Sequence, residues 1–73
     1  MTRIERLFRN RSGTALYTVL RSSEGYSVVE WTPVAGGAEA PVVLSRFDVA
    51  PGEAGDQQRS LAIEMARSEA ASN

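Results

Sequence analysis

The chain has 73 residues and a formal net charge of −1, with no cysteine, no histidine and no lysine, so all eight basic residues are arginine. These absences exclude disulfides, thiolate metal centres, and catalysis by an imidazole or an amine. The length sets one domain, residues 1–73, with enough large apolar side chains for one layer of core between a sheet and a helix.

The first segment, residues 2–10, is ambiguous. With a period of two, Ile4, Arg6 and Phe8 oppose Glu5 and Leu7. With the helical period, Ile4, Leu7 and Phe8 form one stripe and Arg3, Arg6 and Arg9 another. The segment is short, and Asn10-Arg11-Ser12-Gly13 after it has turn composition. A strand is the preferred reading, with a short helix as the alternative.

Residues 14–21 (TALYTVLR) alternate. Leu16, Thr18 and Leu20 point one way; Ala15, Tyr17, Val19 and Arg21 point the other. Residues 26–32 (YSVVEWT) set Tyr26, Val28 and Glu30 against Val29 and Trp31. Ser22-Ser23-Glu24-Gly25 between them signals a hairpin. Pro33 should close that strand, since proline cannot donate to a central ladder. Gly36-Gly37 marks a turn, and Pro41 precedes a fourth strand at 42–49 (VVLSRFDV). Period two puts Val43, Phe47 and Val49 on one face and Val42 and Leu44 on the other.

Residues 50–55 (APGEAG) read as a loop. Asp56 is then a candidate helix N-cap, and residues 56–71 contain no Gly or Pro. Gln58, Leu61, Ala62, Met65 and Ala66 form a narrow stripe, with Ile63 off it at the core edge or facing a partner. The expected architecture is α+β: a three- to four-stranded antiparallel β meander with one C-terminal α-helix packed on one face.

Catalytic chemistry finds no constellation. A nucleophilic serine lacks a base, and the nine acids fall in turns or on polar faces. No Asp-x-Asp-x-Asp-Gly loop appears, and the glycines lack phosphate-cradling spacing. The sequence therefore points to a non-enzymatic protein with no catalytic, cofactor-binding or metal-binding residues. No run of about 18 apolar residues occurs, which argues against a membrane span and, with absent cysteine, for a cytoplasmic setting.

Charge is the informative feature that remains. Residues 1–21 carry five arginines against Glu5, a net of +4, and residues 22–73 carry three arginines against eight acids, a net of −5. A split of this kind suggests a charged partner. Arg3, Arg6, Arg9 and Arg11, with Tyr17 nearby, could engage phosphates. Equally, edge strands carry charge to resist aggregation, and arginine bias follows from a GC-rich genome. Trp31 is either a core anchor or an exposed anchor for a protein partner. The second strand is apolar on both faces, Leu16 and Leu20 on one and Tyr17 and Val19 on the other. One helix covers only one of them, which favours a homodimer or another partner.

The length, the absence of catalytic residues, the sheet-plus-helix plan across the chain and the charged surfaces resemble the small inhibitor proteins of phages and other mobile elements, including anti-CRISPR proteins. The resemblance rests on no motif. It implies a stoichiometric binder that occludes a bacterial nucleoprotein complex inside the host cell. A net charge of −1 argues against DNA mimicry by the whole molecule, though the acids of residues 48–69 could mimic it locally. The expected partner-binding residues are Arg3, Arg6, Arg9, Arg11, Tyr17, Trp31 and Ile63. Nucleic-acid binding through the arginine-rich segment and service as an accessory subunit of a larger complex are the alternatives.

Overall fold

A computed structural model of the chain describes residues 2–33, 37 and 39–72. Four strands, β1 (Arg3–Arg9), β2 (Leu16–Ser22), β3 (Gly25–Pro33) and β4 (Glu39–Asp48), precede one helix, α1 (Asp56–Ser72). The strands form an antiparallel sheet in chain order, and α1 lies across one face and touches all four. The α+β meander expected from the alternation is what the chain forms, and the first segment is a strand. No helix among the described residues is long and apolar enough to cross a membrane.

The turns follow from their residues. Asn10 is buried and organises the first. Its side-chain carbonyl accepts from the Ala15 amide at 3.1 Å and its side-chain amide donates to Thr14 Oγ1 at 3.0 Å. The β2–β3 hairpin closes tighter than a four-residue loop, because Ser22 and Gly25 already pair across it. Gly25 has φ +146°, and a Cβ there would strike the Phe47 carbonyl oxygen of β4. Only glycine lets the neighbouring strand pass that close. Pro33 ends β3 as expected, and Pro41 sits inside β4, an edge strand, where proline is tolerated. The turn expected at Gly36-Gly37 lies, Gly37 aside, outside the described residues.

Two bulges break the period-two reading. In β1 the register slips between Ile4 and Arg6, so Ile4 and Leu7 share one face while Phe8 takes the other. In β4 it slips between Val43 and Ser45, so Val43 parts from Phe47 and Leu44 turns towards the core. A bulge sets two residues against one, which reverses every assignment beyond it. Both bulges lie on edge strands, where they also blunt the sheet against edge-to-edge pairing.

The core lies between the sheet and α1. Tyr17, Val19, Tyr26 and Val28 meet Ala62, Ile63, Ala66 and Ala70, flanked by Phe8, Leu44, Phe47, Val49 and Met65. The buried stripe of the helix is thus rotated from the expected one: Ile63 is inside and Leu61 is 49% exposed. The three alanines bring the helix close to the sheet, and Ile63 fills the space beside them. Asp56 is the first helical residue and not the cap; the Gly55 carbonyl accepts from the Arg59 amide at 2.9 Å. In that first turn the Asp56 carboxylate complements the positive end of the helix dipole.

Candidate binding surface on the open sheet face

Among the described residues, no element covers the face of the sheet opposite α1. The strand registers lay its side chains out as three cross-strand rows. One row runs Arg9, Leu16, Trp31, Pro41. The middle row runs Leu7, Thr18, Val29, Val43. The third runs Ile4, Leu20, Ser27, Arg46. Apolar groups dominate, and the outer ones stand well into solvent: Ile4 is 60%, Leu7 49% and Val43 51% exposed. A sheet normally alternates apolar-in with polar-out when one face is wet. This one is apolar on both sides.

The indole and hydroxyl at the middle of the face are satisfied within it. Trp31 Nε1 donates to Thr18 Oγ1 at 2.9 Å, and that hydroxyl donates to the Val29 carbonyl at 3.4 Å. Thr18 is consequently buried at the centre of the grid without a cover. Trp31 itself is half-buried and lies on this face, so it is an anchor of the open surface and not of the core under the helix. The only charged positions in the three rows are Arg9 and Arg46, at diagonally opposite corners. Asp48, one step beyond Arg46, is exposed near the same corner.

The other sequence-chosen residues are dispersed. Tyr17 and Ile63 are buried in the core beneath α1, which removes both from any surface a partner could reach. Burial is a matter of which face the helix covers, and alternation alone does not fix that choice. The four arginines do not form one patch either. The β1 bulge turns Glu5 towards the helix, where its carboxylate accepts from Arg59 Nε at 3.3 Å and pairs with Arg3 Nε at 3.2 Å. Arg3 is thereby paired within its own strand. Register sends Arg6 to the helix side beside Val19 and Arg9 to the open side beside Leu16, while Arg11 sits in the turn. Arg6, Arg9 and Arg11 are exposed and make no ion pair among the described residues. The acids of residues 48–69 are divided as well: Glu64 pairs with Arg67 at 2.8 Å on the helix, away from Asp48 and Glu53.

Sequence reasoning missed Ile4, Leu7 and Val43 as members of one surface, since both bulges disguise their side. The two-sided apolar pattern of β2 was the signal that did point there.

Among the described residues, one titrating group is strongly perturbed. Burial, the hydrogen bond Tyr17 Oη donates to Glu30 Oε2 at 2.7 Å, and the charges of Glu30 and Glu69 push the Tyr17 phenol up to about 12. The folded state therefore holds this proton more tightly than the unfolded chain. Its stabilising contribution is complete below pH about 10 and is lost as pH rises towards about 12. Urea midpoints should fall across that window, and Tyr17→Phe should remove its part of the slope. An equal slope in the phenylalanine variant would contradict this origin.

No protein-family model matches the chain, and neither a curated protein nor a solved structure matches it.

Proposed function

We propose that this chain is a non-enzymatic binding protein that blocks a protein partner, working as an assembly in which another polypeptide covers the open sheet face. The observation that carries the reading is that face: an apolar grid built around Trp31 and the middle row, with the Trp31 and Thr18 donors already satisfied. A contiguous apolar patch of this extent on a small domain marks an interaction surface. Trp31 supplies the aromatic anchor that such surfaces favour.

Once the face is covered, the β1 edge and its turn remain as the charged surface that meets the target. Arg6, Arg9 and Arg11 stand there unpaired and offer planar donors for carboxylates or phosphates. The most concrete version is an inhibitor of the anti-CRISPR type acting inside a bacterial host on a nucleoprotein complex. Expressed in a panel of hosts whose CRISPR systems restrict a phage, the wild-type chain should restore plaques in one of them. Arg6→Ala, Arg9→Ala and Arg11→Ala together should abolish the rescue while the circular dichroism stays native. Failure of the wild type across the panel would remove this version.

The same three arginines support a second reading as a nucleic-acid-binding module. Phosphate contacts make affinity fall steeply with salt, by about one power of salt concentration per neutralised phosphate. A DNA and RNA titration series at increasing salt tests it, and affinity that is absent at low salt or indifferent to salt would sink it.

A further inference from the structure

We infer that the polypeptide covering the open face is a second copy of this chain, packed face to face as an eight-stranded two-sheet sandwich with the two helices outside. The inference rests on the preceding reading of that face as an interaction surface. Three observations single out the second copy.

The first is what the face asks of a cover. Trp31 and Thr18 satisfy each other and the Val29 carbonyl, so the surface offers no free donor at its centre. The matching surface is apolar, flat and twisted with the same hand. Another copy of the sheet has these properties, because two twisted sheets of one hand pack in aligned fashion with interdigitating side chains.

The second is charge. Arg9 and Arg46 occupy diagonal corners of the grid. In aligned packing the two-fold axis runs either along the strands or across them. Along them, β1 lies over β4 of the other copy, so Arg9 meets Pro41 and Arg46 meets Ile4. Across them, rows invert, so Arg9 meets Ile4 and Arg46 meets Pro41. Neither axis stacks arginine on arginine. Each arginine lies at the rim, where its stem can cover an apolar corner while its head stays in water. Orthogonal packing about the arginine diagonal would set Arg9 on Arg9, so the aligned form is selected.

The third is area and the alternatives to it. Four strands spaced about 4.8 Å apart and three rows along them give a footprint of about 400 Å² per copy. Allowing for side-chain relief, the pair buries about 800–1,000 Å², short of the roughly 1,200 Å² of stable interfaces and in the range of weak, readily dissociating complexes. Sheet extension through the edges is the competing route to a dimer, but both edge strands are bulged and β1 is lined with arginine.

Sedimentation equilibrium of the full chain, from about 5 to about 500 µM, tests the inference. The expected result is a reversible monomer–dimer equilibrium with its midpoint in the micromolar range. Leu7→Arg and Val43→Arg, both at exposed positions that the core does not use, should each weaken it by about tenfold or more with native circular dichroism. Arg6→Ala, on the other side of the sheet, should leave it unchanged. A wild-type monomer at every concentration overturns the inference, and so does a dimer indifferent to both arginine substitutions. If the wild type is monomeric yet Leu7→Arg still abolishes inhibition of the target, the face is an interaction surface for another protein and only the second copy is wrong. If Leu7→Arg changes neither property, the reading of the face fails with it.

Discussion

Tyr17→Ala should leave the domain close to unfolded at room temperature. Tyr17 is 1% exposed and sits beneath α1 beside Val19 and Val28. Truncating a buried aromatic ring costs about 3–5 kcal/mol. A domain of this size has a total stability of only about 4–11 kcal/mol at the usual per-residue value. The helix meets this part of the core largely through Ala62, Ala66 and Ala70, which have no side-chain atoms beyond Cβ to swing into the gap. At about 4–8 °C per kcal/mol the melting temperature should fall by about 12–40 °C. Tyr17→Phe keeps the ring and loses only the hydrogen bond to Glu30, which is partly exposed and can turn to water; about 1 kcal/mol is expected. Thermal melts at 222 nm distinguish the two. A drop under about 5 °C for Tyr17→Ala would mean the ring does not bear the core.

The helix interface provides the second large effect, of opposite steric sense. Ala62 and Ala66 are fully buried, with Ala70 a turn further on, and the close approach of helix to sheet depends on their having nothing beyond Cβ. Ala66→Leu drives a larger side chain into the packed core between helix and sheet and should cost at least about 1–3 kcal/mol. Adding Ala62→Leu should lift the helix off and expose the core to a hydrophobic dye. The contrast is Leu61→Ala. Leu61 belongs to the stripe the sequence favours, but it is half in solvent, so its truncation should move the urea midpoint little, within about 0.5 kcal/mol. Equal losses from Leu61→Ala and Ala66→Leu would show the helix seated on its other stripe.

That contrast indicates where the sequence is legible. Alternation through TALYTVLR and YSVVEWT fixes both central strands and their faces, because a two-residue period without interruption admits one pattern. Pro33, the Ser/Gly turns and the Gly/Pro-free run after Gly55 fix the rest of the element order. The edge strands are less readable. A bulge inserts one residue and inverts the faces beyond it, and neither Glu5 nor Leu44 has a composition that announces one. The helix stripe misleads for a different reason. With alanine at 62, 66 and 70, its hydrophobic pattern is too shallow to orient it, and Ile63 against Leu61 is decided by the shape of the sheet it meets.

The candidate surface was legible in outline only. The apolar second face of β2 could be seen in Leu16 and Leu20, and Trp31 follows from the alternation of β3. Ile4, Leu7 and Val43 join them only through register. The arginines illustrate the converse. Their density in the first eleven residues suggests one basic patch, yet one carboxylate, Glu5, engages Arg3, and strand pleating parts Arg6 from Arg9.

The only tryptophan of the chain lies on the open face, so its accessibility reports directly on whether that face is covered in solution. Acrylamide quenching of Trp31 fluorescence should weaken as the protein is concentrated from the low to the high micromolar range, with a blue shift of the emission. Leu7→Arg should hold both at their dilute values. Quenching that is the same at every concentration, in wild type and variant alike, would contradict a covered open face.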